Sequence, residues 1–572
     1  MNFRQLDSKT PGHPEYGHTV GVEATTGPLG AGMGMAVGMA MAEAHLESVF
    51  NKENYPVVDH YTYVLGGDGC MMEGISSEAF SLAGTLGLSK LIVLYDSNRI
   101  SIEGSTDIAF RENVQERMQA FGFQTITVED GNDIDAIGKA IEAAKADTEH
   151  PSFITIKTQI GFGCPAKQGR ASAHGEPLGV ENVEALRKNL NWPSEEPFFV
   201  PEEVYKNYSE IAEQKAEVEA AWNVMFAAYC EEYPEMEALW NQYHNAKAGE
   251  ALKDDAGFWA KQEKPEASRA ISGRLINYIK DVLPNLFGGS ADLAPSNKTN
   301  MKDAGDFSKE DRAGRNLHFG VRELAMAAIG NGIMLHGGLR AYVSTFFVFS
   351  DYCKPMARLS ALMGVPLTYV FTHDSIGVGE DGPTHEPIEQ MAALRAMPNF
   401  HVFRPCDATE TEAAWYSAVT SEHTPTALVL TRQNLEPMAG SSREALKGGY
   451  IIDDCEGTPE LILIASGSEV ALAVHAKETL AAEGQKVRVV SMPCMDLFEE
   501  QSEEYKESVL PREVRRRVAV EALGSFGWDK YTGLDGKIIA MESFGASAPA
   551  GLLFKKFGFT VEHVVEVAKS LK

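Results

Sequence analysis

Residues 61–100 read YTYVLGGDGCMMEGISSEAFSLAGTLGLSKLIVLYDSNRI. Tyr61–Leu65 is an apolar run of strand length, and Gly67-Asp68-Gly69 interrupts it. Glu73–Leu88 carries apolar residues at helical spacing, and Leu91–Tyr95 is a second apolar strand leading to Asn98. A strand, a helix and a strand in so short a span form a βαβ unit, so the two strands are expected to be parallel. Asp68 and Asn98 then fall just past the carboxyl ends of neighbouring strands, where open α/β sheets bind ligands. A carboxylate and an amide oxygen converging beside Gly69 suit a hard cation. Mg²⁺ takes few protein oxygens and fills its shell with phosphate. A bare Gly-Asp-Gly is also an ordinary turn; the downstream Asn98 is what favours a Mg²⁺-held phosphate.

The chain has 572 residues, which predicts several domains. Its hydrophobic (44%) and charged (23%) fractions are those of a soluble globular protein. The net charge of −30 argues against binding nucleic acid or anionic membranes through broad electrostatics. Anionic substrates then need locally placed Arg, Lys or His. No apolar run reaches transmembrane length, and no signal peptide is read. Seven scattered cysteines without C-x-x-C pairs suggest free thiols and a cytoplasmic location.

The expected class is α/β, with three successive α/β domains and mainly parallel sheets. The first is placed over residues 1–194, with strands at Tyr61–Leu65, Leu91–Tyr95 and Ser152–Lys157. Residues 195–265, rich in Glu, Ala and Lys, read as a helical connector on the surface. The second domain (266–440) is expected to hold helices Leu324–Leu335 and Ile388–Ala396 and strands Leu367–Phe371 and Ala427–Leu430. In the third (448–572), Leu461–Ala465, the helix Glu469–Ala482 and Val487–Val490 form another βαβ unit, with further strands at Val518–Glu521 and Lys537–Met541.

Gly-Asp-Gly followed by Asn98 resembles the fingerprint of thiamine diphosphate enzymes. Further stretches narrow the resemblance to the transketolase family: Thr10-Pro-Gly-His13-Pro-Glu15, Thr26-Gly-Pro-Leu-Gly30, Gly67-Asp-Gly-Cys-Met-Met-Glu-Gly74, Gly320-Val-Arg-Glu323, Thr372-His-Asp-Ser375 and Asp381-Gly-Pro-Thr-His385. The resemblance runs from Phe3 to the C-terminus. It implies transfer of a two-carbon glycolaldehyde unit from a ketose phosphate such as xylulose 5-phosphate to an aldose phosphate such as ribose 5-phosphate, a reaction of the pentose phosphate pathway. It also implies thiamine diphosphate with Mg²⁺, replaceable by Ca²⁺ or Mn²⁺. A homodimer follows, with Asp68 and Asn98 from one chain meeting Glu323 and the aromatics of the other, and Glu73 and Glu78 near the interface. Weighed against it are a 1-deoxyxylulose-5-phosphate synthase-like enzyme and a weakly active or non-catalytic cofactor-binding protein. The family's segment ahead of these motifs, with two cofactor-site histidines, has no counterpart in this sequence. The expectation is therefore a chain that folds and dimerises but holds its cofactor less tightly.

The resemblance assigns roles residue by residue. Asp68, Asn98 and Ile100 are implied as the metal ligands. Gly27, Leu29, Gly69, His174 and Asp292 are implied at the cofactor. Glu323 is implied to hydrogen-bond the aminopyrimidine ring; by itself it reads as a first-turn acid favoured by the helix dipole. Phe346, Phe349 and Tyr352 recur every three residues, the spacing of core aromatics, and are implied to form the pyrimidine pocket. Gly27-Pro28-Leu29-Gly30 reads as a helix entry with Pro near the first position. Met33–Met41 reads as helix packing, not a metal box. His13, His174, His373 and His385, four of fifteen histidines, are implied to bind ketose hydroxyls and relay protons, with Asp381 on a hydroxyl. Arg269, Ser296, His373 and Arg432 are implied to clamp the sugar phosphate, a task suited to guanidinium.

Overall fold

The computed structural model describes residues 2–571. These divide into two compact units, one of residues 2–14, 26–241 and 308–313, the other of 15–25, 242–307 and 314–571.

The first unit is built on strands β1 (Thr62–Gly67), β2 (Leu91–Ser97), β3 (Gln124–Val128) and β4 (Ser152–Lys157), in the order β1-β2-β4-β3, all parallel. Near-continuous apolar runs such as Leu91–Tyr95 are what a parallel sheet covered on both faces requires. The register sets Gly67 opposite Asp96, so Asp68 and Asn98 leave the sheet at the same end. The helix expected over Glu73–Leu88 is instead two, Asp68–Met72 and Gly74–Leu86, separated by Glu73 in extended backbone. Asp68 thus opens a helix, where a carboxylate meets the positive end of the dipole. The Met-rich helix spans Ala31–Phe50 with Gly30 ahead of it, so Pro28 lies outside the helix rather than near its first position.

The surface-connector reading is corrected in part. The helix Glu202–Glu232 is exposed over its first turns, but its last third carries an aromatic cluster. Trp222 and Phe226 stack at 4.8 Å, Trp240 meets Phe50 edge-on at 5.0 Å, and Tyr229 donates to the Phe50 carbonyl at 2.7 Å. Farther on, Leu252 and Phe258 are buried in the second unit's core.

The second unit holds two large sheets, besides the two-stranded pair Glu266–Ala267 and Asn434–Leu435. One comprises β5 (Leu286–Ser290), β6 (Asn316–His318), β7 (Arg340–Phe346), β8 (Thr368–Thr372), β9 (His401–Phe403) and β10 (Thr426–Leu430), in the order β9-β10-β8-β7-β5-β6, all parallel. The other comprises β11 (Tyr450–Asp453), β12 (Leu461–Ala465), β13 (Val487–Ser491), β14 (Arg517–Gly524) and β15 (Lys537–Met541), in the order β11-β13-β12-β14-β15, with only β11 antiparallel. The helix expected over Ile388–Ala396 is shorter, Gln390–Arg395, because Pro387 and the bend after it delay its start.

Between these sheets lies a buried ion network. Arg404, just past β9, is fully buried. Its Nε donates to Asp374 Oδ2 at 2.9 Å, and its Nη1 to the Ser466 carbonyl at 2.9 Å and to Glu469 Oε2 at 2.5 Å. Glu521 on β14 accepts two bonds from Arg395, at 2.9 and 2.8 Å, and one from Trp528 Nε1 at 2.8 Å. Burial pushes the Asp374 carboxyl up, with Arg404 pulling it back; at Glu521 burial pushes the same way, but Arg395 and Arg404 hold the acid below its usual range.

Removing one member of such a network leaves charge buried without a partner, at a cost of about 3–5 kcal/mol. Arg404→Met is expected to lower the melting temperature strongly at neutral pH. The deficit should narrow as pH falls, because the freed carboxylates can then be buried as neutral acids. Differential scanning calorimetry across pH checks this; an unchanged melting temperature would show that the network contributes nothing.

Candidate active site

In the first unit, the β1–β2 strand ends form an oxygen-rich corner. Asp68 is buried, at 4% exposure. Its Oδ1 accepts from the Tyr95 hydroxyl at 2.5 Å and its Oδ2 from the Arg99 amide at 2.9 Å. Asn98 Oδ1 accepts from the Ile100 amide at 2.9 Å, which folds the 98–100 turn back toward Asp68. Burial and the Asp68 carboxylate push the Tyr95 phenol well above its usual range, so it stays a donor to Asp68. A cleft of about 300 Å³ opens here, lined by Asp68, Tyr95, Ser97, Arg99, Thr106 and Arg111 among others. Among the described residues no three His, Cys, Asp or Glu side chains cluster as metal ligands. A donor set of one carboxylate, one amide oxygen and backbone carbonyl fits Mg²⁺ that also binds a phosphate, and does not fit a soft metal.

Of the other expected residues of this unit, Gly69 lies in the helix Asp68–Met72, and His13, Gly27, Leu29 and His174 lie outside the helices and strands. A Cβ added at Gly69 would come within 2.9 Å of Leu29 Cδ1, and one at Gly27 within 3.6 Å of the His13 ring. The structure therefore brings Gly69 to Leu29 and Gly27 to His13. His13 and Leu29 are themselves exposed. His174 is exposed and caps the short turn Ala171–Ala173. Glu73 is exposed and Glu78 is half-buried.

In the second unit, the strand ends of β7, β8 and β10 converge. Glu323 opens the helix Glu323–His336 and is half-buried. Phe346 ends β7, and its ring stacks on Phe349 with planes 9° apart and centroids at 6.2 Å. Tyr352 meets Phe349 edge-on at 5.9 Å and is 61% exposed, so it is no core aromatic in the single chain. Parallel rings with an open side make a slot for a flat heteroaromatic. The His385 ring lies 5.4 Å from Phe349, and the His373 ring 3.8 Å from Phe346.

His373 follows β8 and is 2% exposed. Arg269 Nη1 lies 3.4 Å from its Nε2 and also donates to the Ser296 carbonyl at 2.8 Å. Burial, then the charges of Arg269 and Arg432, push the imidazole down to about 3, so the ring is neutral in the physiological range. Burial and Arg432 also lower Arg269. Arg432 is exposed and donates to the Val378 carbonyl at 3.3 Å. Asp381 and Asp292 are both exposed, the latter at φ 61°.

Sequence reading missed Tyr95, Asn297, Thr372 and the Arg404 network. Tyr95 sits inside an apolar strand pattern and Thr372 at the end of one, where a hydroxyl gives no signal of its partner. Arg404 is a charged residue at a strand end, a position that otherwise reads as solvent-exposed.

Three family models match in succession: the transketolase thiamine diphosphate binding domain over residues 1–248, the transketolase pyrimidine binding domain over 264–438, and the transketolase-like C-terminal domain over 448–560. Transketolases of Halalkalibacterium halodurans and Bacillus subtilis are each 53% identical over all of this chain and 86% of their own length. A Leishmania mexicana transketolase structure superposes with a TM-score of 0.95 at 45% identity, covering 100% of this chain and 85% of that one. A Pichia stipitis transketolase in complex with sedoheptulose 7-phosphate gives 0.94 at 44%, with the same coverage. The synthase-like alternative gives way to these matches, and the chain belongs to the transketolase family.

Proposed function

We propose that this chain moves a two-carbon ketol unit from a ketose phosphate, such as xylulose 5-phosphate, to an aldose phosphate, such as ribose 5-phosphate. One observation carries the assignment of its substrate end: Arg269, His373 and the Ser296 carbonyl meet at strand ends beside an aromatic slot, in a chain of net charge −30. Two guanidinium groups and an imidazole in so acidic a protein suit a phosphate monoester.

Thiamine diphosphate, when bound, supplies the nucleophilic carbon that accepts the two-carbon unit. Asp68, Asn98 and the Ile100 carbonyl would hold Mg²⁺, which would neutralise the charge of the bound diphosphate. Gly27, Leu29, Gly69, His174 and Asp292 line the cofactor. Phe346, Phe349 and Tyr352 receive the pyrimidine ring, and Glu323 hydrogen-bonds its edge and controls the proton there. His13, His174, His373 and His385 face the sugar hydroxyls with Asp381, and His13, His174 and His385 exchange protons with them. Arg269, Ser296, His373 and Arg432 hold the phosphate. The working form is a cytoplasmic homodimer serving the pentose phosphate pathway. The family resemblance supports these assignments, and the hard-oxygen corner and stacked aromatics are compatible with them.

Three substitutions test the roles. Glu323→Gln should retain the fold by circular dichroism and lose most turnover; near-normal kcat at saturating thiamine diphosphate would remove Glu323 from its role. Asp68→Ala should weaken thiamine diphosphate and Mg²⁺ binding together, read by isothermal titration with and without EDTA. Cofactor affinity that stays unchanged and metal-independent would refute the metal corner. Arg432→Ala should raise KM for xylulose 5-phosphate far more than for hydroxypyruvate, since a charge-assisted phosphate contact is worth about 1.5–3 kcal/mol, roughly ten- to a hundredfold. Equal losses for both donors would contradict a phosphate contact.

A further inference from the structure

The His373 ring is the outer member of a chain of hydrogen bonds that runs into the sheet and has only one consistent direction. Ser344 Oγ donates to the Val370 carbonyl at 2.7 Å, and Ser290 Oγ donates to the Ser344 carbonyl at 3.0 Å. Each hydroxyl, having given its hydrogen, accepts from Asn297 Nδ2, at 2.8 Å for Ser344 and 3.1 Å for Ser290. That fixes the Asn297 amide and turns its Oδ1 toward Thr372, whose hydroxyl donates to it at 2.7 Å. The Thr372 hydroxyl then has only lone pairs for His373 Nδ1, at 2.8 Å. All of these groups are buried, Asn297, Thr372 and Ser344 completely. Reversing the chain would leave Asn297 Oδ1 buried without a donor, or, with the amide turned over, one Asn297 Nδ2–H buried without an acceptor; either is costly.

We propose that Asn297 and Thr372 are positioning residues that hold His373 as its Nδ1–H tautomer, so that the site receives a phosphate monoester together with one proton. The inference rests on the phosphate seat assigned above. The outward Nε2 carries a lone pair, which is why Arg269 approaches it. A phosphate dianion cannot hydrogen-bond a lone pair. When the phosphate draws the Arg269 donor to itself and takes its place at Nε2, the bound state holds a proton between a phosphate oxygen and Nε2, either taken from solvent or carried in on the monoanion. The groups facing the ring are all cationic or neutral: Arg269 at the start of its helix, Arg432 past β10, His385 in its loop and the Phe346 ring. Asp374, next in sequence, is engaged by Arg404 and supplies no proton acceptor to the ring.

The test is the ratio of kcat/KM for xylulose 5-phosphate to that for hydroxypyruvate, followed from about pH 7 to pH 9, above the second phosphate pKa of about 6. The holoenzyme should show this ratio falling about tenfold per pH unit, the signature of one bound proton. Thr372→Val keeps the shape but takes away the acceptor at Nδ1; the ring is then free to turn its N–H outward, and the slope should flatten. Thr372→Ser should restore it. A flat ratio in the unmodified enzyme, or an unchanged slope in Thr372→Val, overturns the proposal. Arg432→Ala should lower the ratio at every pH; if it does not, the phosphate seat itself fails and the proposal with it. If that result holds while the slopes disagree, only the tautomer assignment fails. Nitrogen-15 NMR of histidine-labelled protein, with His373 assigned by His373→Gln, reads the tautomer without the valine variant, and an Nε2–H ring overturns it.

Discussion

The buried Arg404 guanidinium is the contact on which the substrate end of the site depends. It reaches Asp374 past one sheet and Ser466 and Glu469 past the other, all within hydrogen-bond distance. Asp374 is the residue after His373, so the pair fixes where β8 ends and where the imidazole emerges. A charge pair of this kind is a weak source of stability compared with an apolar core, because desolvation offsets most of the attraction. What it supplies is direction: a guanidinium with several donors accepts only one arrangement of its carboxylate partners. The two sheets of this unit are thereby held in the register the site needs.

Electrostatics around His373 follow from that placement. Two guanidinium groups close to a buried imidazole make its cation unfavourable, so the ring stays neutral while the arginines stay charged. The cluster is positive but leaves one acceptor within it, the Nε2 lone pair. In a chain of net charge −30, this positive island is local, and the long-range field around it is unfavourable to anions. Affinity for a phosphorylated sugar must then come from short-range, desolvated contacts rather than from steering.

Much of this was legible in the sequence because the parallel sheets write themselves as apolar runs. Leu91–Tyr95, Leu367–Phe371 and Leu461–Ala465 were read as strands, and Asp68, Asn98, His373 and Arg432 lie at strand ends where the register puts them. Leu286–Ser290 was not legible. Its sequence, LFGGS, has two glycines that argue against a strand, yet a Cβ at Gly289 would lie 1.8 Å from the Leu317 carbonyl oxygen. Close approach of a neighbouring strand, not local propensity, selects glycine there. Arg340–Phe346 was missed because it opens on a charge and includes the polar Ser344 and Thr345, and the partner of Ser344, Asn297, is distant in sequence. The break at Glu73 was invisible because Asp68–Met72 and Gly74–Leu86 share one apolar pattern across it.

Among the described residues eleven non-glycine residues have positive φ, and three of them fall at or beside the candidate site residues. Arg99, Asp292 and His373 have φ of 59°, 61° and 64°, a left-handed region that side chains with a Cβ seldom occupy. Each is, or adjoins, a residue singled out for chemistry: Arg99 follows Asn98, and its amide is the donor to Asp68 Oδ2. His373 in this conformation turns its ring off the strand direction and against Phe346. Such conformations cost free energy and persist only where surrounding contacts over-determine them. For two of them those contacts are identifiable: the Asp68–Arg99 hydrogen bond at Arg99, and at His373 the Thr372 hydroxyl on its ring and Arg404 on Asp374, the residue after it. At Arg99 and His373 the strained residue is thus held by a short polar contact to a buried partner, Asp68 for the one and Thr372 for the other.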